Sequence, residues 1–280
     1  FKIIKNKSNI GITRSLNKAF KISDSKYIAR IDADDINKPD RFEIQFKYLE
    51  KYKDIAIVGS NVEYIDKDSK FINHSDLPLN HIDIRSSLFL YNPMVHSSIF
   101  FRKKIFSKHP YNNKFITSQD YEMYCRIINS HKFANIKKSL VKFRLHNQSI
   151  SSHKEKLQKK NSLFIQEQFY KNNFGNVFPS NSFKLFTNLF MSDYEEIIQN
   201  VRDLKKFFKD MLRFFIDLNK KIQNVQLEYF FLERLLIFSI YARGYKLFML
   251  SLILRHFRIK VLVSSIFNLF LKKAKNKFKS

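Results

Sequence analysis

The stretch YIARIDADDINKPDRFEIQFKYLEK, residues 27–51, sets the reading of the chain. Tyr27 to Asp32 is a mostly apolar run that ends in carboxylates, the pattern of a strand whose C-terminal end opens on a polar loop. Pro39 begins the next helical pattern, in a position suited to a first turn, with Phe42, Phe46 and Leu49 recurring on one face. Between strand and helix, Asp32, Asp34 and Asp35 fall within four positions. Carboxylates that close repel one another and resist burial, so a cation is expected to offset them.

The same alternation extends outward. FKIIK, residues 1–5, reads as a short strand, and Gly11 follows in a turn. Ile12, Leu16, Ala19 and Phe20 recur at helical spacing over 12–22. IAIVGSNVEYID (55–66) is a strand region, HSSIFFRKKIF (96–106) a strand or strand-to-helix junction, and FANIKKSLVKFRLH (133–146) closing strands. SQDYEMYCRIINS (118–130) is helical, with Tyr121, Tyr124, Cys125 and Ile128 on its apolar face. This rhythm predicts an α/β domain with a mainly parallel mixed sheet. After about residue 150 the β-alternation fades and helical runs dominate, which divides the chain into 1–150 and a helical, basic 151–280.

Composition excludes some classes. Hydrophobic residues make up 44% of the 280, too many for a disordered chain. The single cysteine, Cys125, rules out an internal disulfide and is compatible with a reducing compartment. Lysine and arginine number 51 against 25 acids, a formal charge of +26, which argues for an anionic partner: nucleic acid, a lipid surface or a phosphorylated substrate. Residues 234–280 carry bases but no acid, interleaved with LLIFSIYA, LFMLSLIL and VLVSSIFNLFL. These runs are too short to cross a bilayer. They fit an interfacial helix meeting anionic head groups, or a helical subdomain with a basic outer face.

The chemistry concentrates in the acids. On a strand, Asp32 and Asp34 point to the same side, at the end where parallel sheets bind ligands. A divalent cation there would relieve their repulsion and neutralise a diphosphate. The bland alternative is an Asp-rich turn, with Asp35 or Asn37 capping the next helix. Asp120 stands at a helix start, where the macrodipole favours a carboxylate. It reads either as a cap or as a general base.

In order, NIGITRSLNKAF, YIARIDADDINKPDRFEIQFKYLE, IVGSNVEYID, NPMVHSSIFFRKKIF, SQDYEMYCRI and FRLHNQSIS resemble the family 2 glycosyltransferases of the GT-A fold, over roughly residues 1–152. The resemblance implies inverting transfer of a sugar from a nucleotide-diphosphate sugar to a glycan or lipid-linked acceptor in surface-glycan synthesis. It implies that Asp32 and Asp34 form the D-x-D metal motif for Mn2+ or Mg2+ and that Asp120 is the catalytic base. It places His96 and Gln119 on the acceptor side, and Arg144, His146 and Ser149, the R-x-H-x-x-S segment, near the donor diphosphate. His96 and His146 also read as ordinary polar strand residues. Where the family often has Glu before its base, this chain has Gln119.

The family's opening strand, P-V-Y-N-like turn, helix and second strand have no counterpart here, so the N-terminal part of the domain is expected to be missing. The motifs then speak for the full-length enzyme, and an inactive remnant is the alternative. A basic nucleic-acid-binding protein is a further rival, but no zinc-finger spacing or RNA-binding aromatic motif supports it, and no specific nucleic acid is expected. The expected location is cytoplasmic, with the inner face of the membrane as a peripheral site.

Overall fold

The computed structural model of the protein describes residues 3–146 and 154–175, with helical positions 209, 212, 216, 232 and 235 beyond them. The chain divides into two compact units, Phe1–Gly175 and Asn176–Ser280. Residues 234–280, on which the membrane expectation rests, lie outside the described residues except Leu235. Among the described residues no helix is long and apolar enough to cross a membrane.

The first unit runs α1 (Ile12–Ile22), β1 (Tyr27–Ala29), β2 (Ile36–Asn37), α2 (Arg41–Lys51), β3 (Ile55–Ile65), β4 (Phe71–His74) and α3 (His81–Ser87). After a single 3-10 turn at His96–Ser98 come β5 (Phe100–Arg102), α4 (Gln119–Ile127), β6 (Lys132–Arg144) and α5 (Glu155–Phe174). The strands form one mixed sheet in the order β1-β5-β3-β6-β2, with β4 added to β3. This is the α/β architecture that the sequence pattern predicts. Its longest pairing, β3 with β6, is parallel, whereas β1–β5, β5–β3, β2–β6 and β3–β4 are antiparallel. The sheet is therefore less parallel than the strand–helix rhythm implies, because the short strands β1, β2, β4 and β5 all pair antiparallel with their neighbours. The helix after residue 150, α5, packs back on the same unit: Phe169 stacks on Phe89 at 4.4 Å, and Gln166 Nε2 donates to the Leu90 carbonyl at 2.7 Å.

Two helix faces differ from the expectation. In α1 the buried residues are Thr13, Asn17 and Phe20, while Ile12 and Leu16 are only half-buried and Ala19 is exposed. Thr13 donates to the Phe115 carbonyl at 2.7 Å, and Asn17 both donates to the Tyr111 carbonyl at 2.8 Å and accepts its N–H at 3.1 Å. In α2, Phe42 and Phe46 are exposed and the inward face is Arg41, Gln45 and Leu49. Pro39 precedes the helix and its N-cap Asp40 rather than lying in the first turn. In both helices, hydrogen-bonding side chains with backbone partners take the inward positions. Ile3 to Lys5 form no strand, having no ladder partner among the described residues.

Arg41 is fully buried, and its guanidinium meets acceptors from several elements. Nε donates to Gln45 Oε1 at 2.9 Å, Nη1 to Asn37 Oδ1, and Nη2 to the carbonyls of Arg30 at 2.8 Å and Ile99 at 3.1 Å. Burial, with Arg30 nearby, lowers its pKa to about 10. A lysine keeps the charge but cannot present a planar fork to these acceptors. Arg41→Lys is expected to lower stability by about 2–4 kcal/mol, as buried acceptors lose donors. Urea unfolding followed by circular dichroism measures it, and an unchanged midpoint would show that the clamp contributes little.

Candidate active site

β1 lies at one edge of the sheet and β2 at the other, so residues 30–35 carry the chain across between them. The aspartates sit on that crossing, past the strand end, in a turn closed by the Asp35 N–H to the Asp32 carbonyl at 3.3 Å. The turn, rather than strand alternation, brings them together, and it recruits Asp35 as well. One oxygen from each of Asp32, Asp34 and Asp35 lies within 4.8 Å of the others.

Each aspartate is held by different groups. Asp32 takes a salt bridge from Arg30, a bond from the Ser97 hydroxyl at 3.3 Å, and gives its N–H to the same hydroxyl at 2.8 Å. Asp34 Oδ2 meets His146 Nε2 at 2.7 Å. Asp35 Oδ1 accepts the Arg144 N–H at 2.8 Å, while its buried Oδ2 has no hydrogen-bond partner among the described residues. Burial pushes the Asp35 carboxyl up, against the opposing pull of Ser97 and of the Arg144 N–H, and repulsion from Asp32 and Asp34 adds to the rise. An orphaned carboxylate oxygen beside two further carboxylates is a ligand set suited to a hard divalent cation such as magnesium or manganese.

Asp120 approaches from the first turn of α4, which begins after Ser118 in a left-handed conformation, φ 58°. Its Oδ2 accepts from Asn92 Nδ2 at 2.7 Å. Burial pushes its carboxyl up, against the opposing pull of the Tyr121 N–H and of Arg30. His96 Nε2 lies 2.8 Å from the Tyr111 hydroxyl. Burial and then Arg30 hold the His96 ring well below the usual imidazole range, so it is neutral. Burial also raises the Tyr111 phenol.

Arg30 thus links the two acidic groups. It is 6% exposed, ion-paired to Asp32, and its charge acts on His96, Tyr111 and Asp120. It offsets the charge of one of the clustered aspartates, Asp32. The sequence reading passed over it, although Arg30 stands two residues before Asp32 and period two puts both on one side of an extended segment. Ser97, Asn92 and Tyr111 were also missed, since nothing local marks a Ser, Asn or Tyr as part of a site.

The other expected residues are placed as follows. His146 joins the aspartate turn. Arg144 turns its side chain to protein acceptors: Nε donates to the Asp34 carbonyl at 2.9 Å, and Nη1 to the carbonyls of Asp66 and Lys67 and to the Ser69 hydroxyl at 2.9–3.0 Å. It buckles the turn to the β3–β4 hairpin. Gln119 is buried beside Asp120 at the start of α4. Ser149 lies outside the described residues.

Residues 1–126 match the model of the family described as Glycosyl transferase family 2. The match takes in the aspartate turn and Asp120, and covers a little under half of the chain. The chain is 37% identical over 171 residues to an uncharacterised glycosyltransferase of Methanocaldococcus jannaschii, covering 60% of this chain and 59% of that protein. It is 32% identical over 144 residues to the amylovoran biosynthesis glycosyltransferase AmsE of Erwinia amylovora, covering 51% and 53% respectively. It is 30% identical over 135 residues to the O-antigen biosynthesis glycosyltransferase WbnJ of Escherichia coli, covering 46% and 52%. The chain therefore spans between half and three fifths of the length of these relatives.

The Asp120 environment sets a sign for pH dependence. A carboxyl that ionises less readily in the folded than in the unfolded state weakens the fold as pH rises from its unfolded pKa through its folded one. Asp120→Asn removes that cost and keeps an acceptor for Asn92. The variant should match the wild type near pH 4, about the unfolded aspartate value, and melt at a higher temperature at pH 8. A variant that melts lower at pH 8 would make Asp120 a stabilising helix cap.

Proposed function

We propose that the protein transfers a sugar from a nucleotide-diphosphate sugar to a hydroxyl of a glycan or lipid-linked saccharide, with inversion at the anomeric carbon, in the synthesis of a surface polysaccharide or lipooligosaccharide. The family match supports sugar transfer, and the names of the Erwinia and Escherichia relatives support the surface-glycan class. The observation that carries the reading is the cluster of Asp32, Asp34 and Asp35, with Arg30 paired to Asp32 and its charge also acting on Asp120.

Asp32, Asp34 and Asp35 would hold a magnesium or manganese ion. Such an ion, when bound, neutralises charge on a diphosphate leaving group. His146 and the Arg144 backbone hold two of the carboxylates in place. Arg30 adds a fixed positive charge that needs no reorganisation during reaction. Asp120 takes the proton of the acceptor hydroxyl, and its raised pKa brings it closer to the working pH of a base. His96, neutral and hydrogen-bonded to Tyr111, is left to orient the acceptor rather than to carry charge. The hydroxyl oxygen attacks opposite the nucleotide, through a transition state with oxocarbenium character. A cytoplasmic location, peripheral on the inner face of the membrane through residues 234–280, gives access to nucleotide sugars and lipid-linked acceptors.

Two substitutions separate binding from chemistry. Calorimetry with a panel of nucleotide sugars and manganese should show that Asp34→Ala loses metal-dependent donor binding. Unchanged affinity would remove Asp34 from the metal site. Asp120→Asn should bind donor normally while transfer falls by roughly 10²–10⁴-fold, the scale of general-base catalysis. Wild-type turnover in that variant would return Asp120 to a capping role.

A further inference from the structure

A second cationic site lies at the other end of β1. β5 runs antiparallel to β1, with Ala29 opposite Phe100 and Tyr27 opposite Arg102. The residues before β5, His96 and Ser97, therefore reach the aspartate end, while those after it reach the start of β1. There a cavity of about 460 Å³ opens between the end of α1, residues 25–26 and residues 102–108. Its lining includes Lys21, Lys26, Arg102, Lys103, Lys104 and Lys108 and no acid. The cavity adjoins the start of β1 and shares no lining residue with the aspartate turn that follows its end, so this is a separate site and not an extension of the first.

The cations divide into two groups. Arg102 and Lys103 are committed to the fold: Arg102 Nε donates to the Ile55 carbonyl at 3.1 Å, its Nη1 to the Tyr27 hydroxyl at 2.9 Å, and Lys103 Nζ to the Ser23 carbonyl. Lys26 is 3.5 Å from Glu50. Lys21, Lys104 and Lys108 are exposed and have no carboxylate within 4.0 Å among the described residues. On other faces lysines do find acids: Lys47 with Glu43, Lys53 with Glu50, Lys132 with Asp54, Lys138 with Asp40. The cavity also has an apolar base, where the buried rings of Phe20 and Phe106 meet edge to face at 6.1 Å. Three unneutralised ammonium groups around a concavity with a low-dielectric floor raise the local potential well above that of a flat lysine surface. The volume lies in the range of small-ligand sites.

We propose that this cleft binds a phosphate-bearing ligand through Lys21, Lys104 and Lys108, apart from the metal-and-donor site. The inference does not rest on the sugar-transfer reading. A soluble phosphate ester and an anionic phospholipid headgroup share this chemistry, and the test separates them. The full chain is titrated by calorimetry with inorganic pyrophosphate in EDTA, which silences any metal-dependent binding at the aspartates. In parallel it is sedimented with phosphatidylglycerol and with phosphatidylcholine vesicles. Lys21→Glu/Lys104→Glu/Lys108→Glu changes exposed positions only, and the corresponding triple Gln variant, checked by circular dichroism, guards against misfolding.

A loss of about tenfold or more in pyrophosphate affinity in both variants, with Asp34→Asn unchanged, supports a soluble phosphate ligand. A comparable loss confined to phosphatidylglycerol vesicles supports a lipid headgroup. Unchanged binding of both probes in the two triple variants overturns the proposal, as does a pyrophosphate affinity that falls equally in Asp34→Asn.

Discussion

The site depends on a guanidinium that has no access to water. A buried arginine must place its donors on protein acceptors or bear the full cost of desolvation. Arg41 does so by drawing together Asn37 of β2, Gln45 of its own helix, and the carbonyls of Arg30 and Ile99. Those two carbonyls flank the functional groups. Arg30 leads into the aspartate turn, and Ile99 follows the 3-10 turn that carries His96 and Ser97. One side chain thereby fixes how the acidic crossing faces the histidine turn. Gln45 reinforces the junction through Nε2 to the Ser98 carbonyl at 2.7 Å.

The electrostatics follow from that placement. Arg30 is ion-paired to Asp32, and its charge also acts on Asp120, His96 and Tyr111. Its own burial disfavours the charge, but Asp32, with smaller contributions from Tyr111 and Asp120, raises its pKa on balance, so the arginine stays cationic. The carboxylates around it are not equivalent. Asp32 faces a guanidinium and a hydroxyl, whereas Asp120 has the neutral amide of Asn92 for its side-chain partner. Different surroundings push the tasks of similar groups apart, one toward holding cations and the other toward holding a proton.

The α/β class was legible because the long strands and α4 announce themselves by length and period, and β3 at Ile55–Ile65 lies where the apolar run predicts it. The inward faces of α1 and α2 were not. Hydrophobic periodicity assumes that burial follows apolarity, and here Asn17, Arg41 and Gln45 are buried because backbone groups wait for them. The acidic residues were legible as types, whereas the contact of His146 with Asp34 was not. Nor was the geometry of the acids, since a turn replaces the expected strand. The resemblance puts Arg144 near a diphosphate; the fold adds what no local pattern shows, that its Nε binds the Asp34 carbonyl and its Nη1 binds carbonyls and a hydroxyl of the β3–β4 hairpin.

The arrival of Arg144 and His146 at the aspartates is itself a matter of register. β6 lies parallel to β3 from Lys132 opposite Ile55 to Arg144 opposite Ile65, but the pairing jumps from Ser60–Ile136 to Asn61–Ser139. The extra β6 residues form a bulge, and a bulge is a position at which a strand can be re-aimed. Asn61 holds this one: its Nδ2 donates to the Lys137 carbonyl at 3.0 Å, and its Oδ1 accepts from the Ser75 hydroxyl at 3.1 Å and the Leu77 N–H at 3.0 Å. A slip of one residue beyond the bulge would exchange the faces of every later side chain in β6. It would also move the Arg144 N–H away from Asp35 and the His146 ring away from Asp34. A buried asparagine deep in the sheet therefore decides which side chains reach the aspartate turn at its rim.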